Sequence, residues 1–154
     1  GTPAGTRGPM TAPLRPLSVL IVDDSADVTQ STAELLALYG HSTRVARGGA
    51  EALRAAADEP PDVVLLDVRM ADLDGCEVAR RLAAGKAGPP PLLVAVTGGG
   101  SADDIDRTTR AGFHLHLVKP VDPAVLVGVL SRFQVALALP LPFAPDGPQE
   151  ESSP

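Results

Sequence analysis

Pro61-Asp62-Val63-Val64-Leu65-Leu66-Asp67-Val68-Arg69-Met70-Ala71-Asp72-Leu73-Asp74-Gly75 is the stretch that decides the fold, because in it a short apolar run stops at an acid. Val63 to Leu66 are four consecutive apolar residues, half of them β-branched. A strand covered by helices on both faces reads this way, and such strands belong to parallel sheets. Ligands of open parallel sheets sit beyond the carboxyl ends of the strands, so Asp67 stands where chemistry is expected.

Three further apolar runs end comparably. Leu17 to Val22 leads into Asp23-Asp24, Pro91 to Val96 into Thr97-Gly98-Gly99-Gly100, and Leu115-His116-Leu117-Val118 into Lys119-Pro120. If the strands are parallel, three carboxylates, one hydroxyl and one ammonium gather at one rim of the sheet. Carboxylates crowded together do not all stay ionised without a cation. A hard, oxygen-seeking divalent ion is therefore expected, with Mg2+ the first choice.

The remaining chain supports an alternating α/β reading. Residues 1–16 hold four prolines and three glycines with little to bury, and are expected to be a disordered arm. Gly1 is not an initiator residue; a cloning remnant running up to a native start at Met10 is one reading of that arm. A first helix is expected after Asp23-Asp24, capped by Ser25 and stopped by Gly40, with Val28, Leu35, Leu36 and Tyr39 on its apolar face. His41 to Ala46 alternates poorly and suits an edge strand. A second helix is expected over about 49–57, a third over 77–84, and a fourth behind an N-cap at Ser101, ended by Gly112. The fifth starts at Asp122-Pro123, where Pro is favoured, and runs to about Ala138. Strands alternating with helices of these lengths predict a doubly wound five-stranded parallel sheet over residues 17–138. Residues 139–154, with five prolines and an acidic, serine-rich end, are expected to be a disordered tail, with docking of Leu139, Leu141 and Phe143 on a groove as the lesser reading.

Composition narrows the function. Hydrophobic residues make up 44% and aromatic residues 3%, so the core is aliphatic. A net charge of -6 argues against nucleic acid or an anionic membrane surface as partner and favours proteins. Cys76 is the single cysteine, so no intramolecular disulfide is possible, and it reads as a small buried apolar residue. No apolar run reaches the length of a membrane span and no signal-peptide pattern opens the sequence, so a cytoplasmic protein is expected.

The order acid pair, single Asp, Thr, Lys-Pro on successive strand ends resembles the receiver domain of bacterial response regulators, the phosphoacceptor half of two-component signalling. The resemblance runs from about Leu17 to Leu137 and implies a flavodoxin-like sheet in the order 2-1-3-4-5. It implies that Asp67 takes a phosphoryl group from a histidine kinase or a histidine phosphotransfer protein. It also implies that Asp23, Asp24, Asp67 and the main-chain carbonyl of Arg69 hold Mg2+, Asp23 through water. Lys119, Thr97 and Gly98 are implied to meet the phosphoryl oxygens, with Thr97 drawing its loop inward. Arg69 and Gly99, two places beyond Asp67 and Thr97, fall where the family tunes dephosphorylation. His116 stands where the family usually carries Tyr or Phe as a rotameric switch; it is read either as a switch or as an exposed edge histidine, and His41 and His114 as surface residues. The run His114 to Pro123 is similar to receivers of hybrid histidine kinases and phosphorelays. No output domain is expected after the fifth helix. Signalling is therefore expected either by contact with an unknown downstream protein through the helix 4, strand 5 and helix 5 face or through an output domain of a longer chain; the acidic charge agrees with the first, with no nucleic-acid contact and no membrane insertion.

Two other classes fit less well. Aspartate-nucleophile phosphatases of the haloacid dehalogenase type place a second Asp two residues after the nucleophile, and here that position is Arg69. A flavodoxin-like cofactor binder needs a hydroxyl- and glycine-rich phosphate loop after strand one, where Asp23-Asp24-Ser25-Ala26-Asp27 repels phosphate instead. The chain is thus expected to be a signalling module rather than an enzyme, with a phosphorylation-independent scaffold or a piece of a hybrid kinase as the alternatives.

Overall fold

The computed structural model describes residues 14–69, 74–85 and 89–139. Five strands alternate with five helices: β1 Ser18–Val22, α1 Ala26–Leu38, β2 Ser42–Ala46, α2 Gly49–Asp58, β3 Val63–Asp67, α3 Gly75–Ala84, β4 Leu92–Thr97, α4 Ala102–Ala111, β5 Leu115–Val118 and α5 Pro123–Ala138. All strand pairings are parallel and the sheet order is β2-β1-β3-β4-β5. β2 is an edge strand, as its weak alternation indicates. Met10 and residues 140–154, including Leu141 and Phe143, lie outside the described residues.

Strand alternation divides the core into two layers. Leu20, Val22, Val64, Leu66, Leu93 and Ala95 face α2 and α3, packing with Val78, Ala79 and Leu82. Val19, Ile21, Val63, Leu65 and Val94 face α1 and α5, packing with Leu36, Leu126 and Leu130. The twelve largest side chains that are essentially inaccessible among the described residues are all Leu or Val, which accords with an aliphatic composition.

Local punctuation explains the element boundaries. The hydroxyls of Ser25 and Ser101 accept hydrogen bonds from the amides of Val28 and Asp104, and the Asp122 side chain caps α5 ahead of Pro123. Gly112 ends α4 in the left-handed region at φ 110°. α3 starts two residues earlier than its apolar pattern predicts, because the Asp74 carboxylate caps it by accepting from the Cys76 amide at 3.0 Å.

Three expectations need correction. Val28 and Tyr39 do not join the core: Val28 is 42% exposed and Tyr39, at the C-cap, 57% exposed, whereas Leu36 is buried. His41 is not a surface residue, being only 7% exposed, and its Nδ1 accepts the Leu17 amide hydrogen at 3.1 Å. Residues 14–16, read as part of the arm, carry defined contacts: the Arg15 guanidinium meets both Asp62 oxygens at 3.0 and 3.2 Å, and Gln134 donates to the Arg15 carbonyl.

Candidate functional site

The alternation that turns Ile21, Leu65 and the partly buried Leu117 to the α1/α5 side carries on to the rim. Asp67 closes β3, and the sheet pairing runs one step past β1 and β5 through Asp23 N–H to Ala46 O at 3.1 Å and Lys119 N–H to Thr97 O at 2.7 Å. Residues 23, 67 and 119 therefore share a face with 21, 65 and 117. Their side chains meet at the head of a cleft of about 560 Å³ lined by Ile21, Leu65, Val96, Leu117 and Leu126, with Asp27, Val28, Ser31 and Thr32 of α1 along one wall.

The two buried carboxylates at this rim divide their oxygens in the same way. Asp67 Oδ1 accepts from the Arg69 amide at 2.9 Å and Oδ2 from Lys119 Nζ at 3.1 Å. Asp23 Oδ1 accepts from the Ser25 amide at 2.9 Å, and its Oδ2 lies 3.3 Å from the same ammonium. Asp24 is exposed, yet one of its oxygens lies within 4.8 Å of oxygens of Asp23 and Asp67. Asp23 and Asp67 are 4% and 6% exposed, so two negative charges are held away from bulk water with one ammonium between them. Burial, the largest single influence, pulls the Lys119 ammonium down; the hydrogen bond and charge of Asp67, followed by those of Asp23, outweigh it and leave the pKa raised. Lys119 thus stays charged at neutral pH, and one positive charge faces three negative ones. Oxygen donors in such excess fit a hard divalent cation such as Mg2+.

The other expected residues lie around this cluster. Thr97 is buried, and its hydroxyl donates to the carbonyl of Gly99 at 2.7 Å. Gly98 and Gly99 are exposed, and a Cβ built on either meets nothing within 4 Å. The absence of their side chains therefore relieves no crowding in this conformation. Arg69 is exposed beside Asp67. His116 is half-buried and is neither free nor at the acid cluster: its Nε2 is hydrogen-bonded to Thr108 Oγ1 of α4. His114 is exposed and its Nδ1 accepts the Leu93 amide hydrogen at 2.9 Å.

Two residues escape sequence reasoning. Gly75 has to be glycine, since a Cβ there lies 2.5 Å from Val68 Cα, in the segment that carries Asp67 and Arg69. The Asp74-Gly75 pair gave a turn signal but no hint of that close approach. Asp27 lines the cleft from the first turn of α1. Cys76 is buried as expected, with burial pushing its thiol pKa up, and Arg107 approaches its sulfur at 3.3 Å.

Comparison with known proteins gives the family and the fold. The family model described as the response regulator receiver domain matches residues 19–131. The transcriptional regulatory protein PrrA of Mycobacterium tuberculosis is 39% identical over 109 residues, covering 71% of this chain and 46% of that protein. An uncharacterized 14.6 kDa protein of Leptolyngbya boryana is 30% identical over 133 residues, covering 86% of this chain and 97% of the relative. Against PrrA and the MprA response regulators of Mycobacterium, the chain spans only about half of the relative's length, 46% and 56%. The solved structure of chemotaxis response regulator CheY4 of Vibrio cholerae superposes with a TM-score of 0.72 at 28% identity, covering 77% of this chain and 98% of that one. Among the described residues, no helix is long and apolar enough to cross a membrane.

Proposed function

The chain belongs to the response regulator receiver family, and from that premise we propose that Asp67 accepts a phosphoryl group from the phosphohistidine of a kinase or phosphotransfer protein. The observation that carries the proposal is a buried Asp67 carboxylate facing Lys119 in a cluster with Asp23 and Asp24.

In the proposed transfer an oxygen of Asp67 attacks phosphorus. The phosphorus–nitrogen bond breaks, and its electron pair leaves with the imidazole, which takes up a proton. Phosphoryl transfer asks the protein mainly for positioning and for charge neutralisation. Asp23, Asp24, Asp67 and the Arg69 carbonyl would hold Mg2+, which, when bound, offsets negative charge on the phosphoryl oxygens. Lys119 neutralises another oxygen from its place between Asp23 and Asp67. The Thr97 hydroxyl leaves the Gly99 carbonyl for the phosphoryl group, which the Gly98 amide also approaches. Arg69 is exposed next to Asp67, where it screens the acyl phosphate from water, and Gly99 has no side chain with which to orient that water.

The output is proposed to be contact with a cytoplasmic protein partner over α4, β5 and α5. Ile105, Leu115, Val118 and Val125 leave aliphatic surface exposed on these elements, which supports that assignment. The protein is read as a signalling module whose chemistry is confined to its own Asp67.

Intact mass after incubation with acetyl phosphate and Mg2+ tests the phosphoacceptor. The wild type gains the mass of one phosphoryl group and Asp67→Asn gains none. An equal gain in the variant would move the acceptor elsewhere.

A further inference from the structure

α4 is anchored differently from α3. Its sequence Ala102-Asp103-Asp104-Ile105-Asp106-Arg107-Thr108-Thr109-Arg110-Ala111 holds one large aliphatic residue, Ile105, which is 42% exposed. Only Thr108 and Ala111 are buried, both in the second half, whereas α3 buries Gly75, Cys76, Val78, Ala79 and Leu82. Apolar burial therefore does little for residues 102–107.

Polar contacts pin the second half. Thr108 is fully buried and its hydroxyl reaches the carbonyls of Asp104 at 2.9 Å and Ile105 at 3.1 Å within the helix. A hydroxyl has a single hydrogen. Committing that hydrogen to the helix assigns Oγ1 as acceptor and His116 Nε2 on β5 as donor in the hydrogen bond that joins them, an assignment that follows the tautomer in which Nε2 carries the proton. One residue beyond Gly112, the buried Phe113 returns its amide to the Thr108 carbonyl at 3.1 Å.

The first half is tied differently. It follows the Gly98-Gly99-Gly100 loop, which the Thr97 hydroxyl holds through the Gly99 carbonyl. Its side-chain link to the rest of the fold is Arg107, 3.6 Å from the Asp74 carboxylate and 3.3 Å from Cys76 Sγ.

We infer that His116 is a fixed pivot for α4 rather than a swinging switch: α4 tilts as one helix about the Thr108–His116 hydrogen bond, so that its amino-terminal turn moves most and residues 108–111 least. The trigger, Thr97 turning from Gly99 toward a phosphoryl group, rests on the receiver reading above. The pivot itself belongs to the unphosphorylated chain.

Amide hydrogen exchange on the full chain tests it, with His116→Leu removing the donor, His116→Gln keeping a side-chain N–H, and Thr108→Val removing the acceptor at nearly the same shape. A lost hydrogen bond of ordinary net worth predicts exchange of the 108–111 amides roughly fivefold faster in unphosphorylated His116→Leu, near wild type in His116→Gln and again faster in Thr108→Val. If His116→Leu does not fold, Thr108→Val carries the same comparison. Beryllofluoride with Mg2+, an acyl-phosphate mimic, is expected to change exchange of the first-turn amides 102–105, of which those of Asp104 and Ile105 bond to Ser101, and leave 108–111 protected. Wild-type exchange at 108–111 in His116→Leu or Thr108→Val, or equal change across both halves with beryllofluoride, overturns the pivot. Phosphorylation of Asp67 in these variants, read by intact mass, shows whether the receiver reading stands when the pivot fails.

Discussion

The two ends of one sheet are built from the same strands to opposite electrostatic rules. At the amino end every polar group of note is matched. Asp62 pairs with Arg15 and accepts the Ser18 amide at 2.8 Å, while His41 and His114 each accept a backbone amide hydrogen. Burial alone pushes the Asp62 carboxyl up, but the Arg15 hydrogen bonds, the Ser18 amide and the Arg15 charge hold it below its usual value. At the carboxyl end Asp23, Asp24 and Asp67 crowd together with Lys119 as their one close cation among the described residues. A fold that only needed stability would balance that end as it balances the other. The imbalance marks where binding energy is held for a ligand.

Substitutions that disturb each end differ in size. The largest effect is expected at Gly75. Gly75→Ala forces a methyl against the Val68 backbone and costs about 2 kcal/mol in a denaturant melt, besides slowing phosphorylation of Asp67 by shifting its segment. An unchanged midpoint would mean that the close approach relaxes freely.

At the amino end, burial lowers the His41 pKa below its ordinary value near 6.5. The unfolded chain then binds the extra proton first. Stability from His41 is complete above about pH 6.5 and falls as pH drops below it toward the lowered folded value. His41→Asn keeps an acceptor for the Leu17 amide without the titration. Melting temperature between pH 7 and 5 should fall less steeply in that variant, and equal slopes would remove His41 from the comparison.

Arg15→Ala is the smallest change. Arg15 is 60% exposed in its pair with Asp62, and exposed pairs are worth at most about 1 kcal/mol. A loss well above that would show that residues 14–16 also secure α5 through Gln134.

The strands, their ends and most caps were legible in the sequence because they depend on local pattern: apolar runs ending in acids, Ser before a helix, Gly after one. The convergence of Asp23, Asp67 and Lys119 followed from parallel strands. What the sequence hid depends on distant partners. His41 is buried beside Leu17, the residue that precedes β1, and Asp62 meets Arg15 across 47 residues. Val28 shares a helical face with Leu36 but lies where that face opens into the cleft beside Asp67, so periodicity found the face and missed the opening. His116 was read as switch or edge; its partner Thr108 sits in a helix too polar for periodicity to place.

The most direct measurement is thermal unfolding with and without Mg2+ on the wild type, Asp24→Asn and Asp67→Asn. A cation bound only by the folded state at ten times its dissociation constant adds about 1.4 kcal/mol, so Mg2+ is expected to raise the wild-type melting temperature by several degrees, and to do so less in either variant. Neutralising one acid should also stabilise the metal-free protein by relieving repulsion. If Mg2+ leaves the wild type unmoved and both variants melt below it, the acids at the carboxyl end are balanced after all, and the contrast between the two ends does not hold.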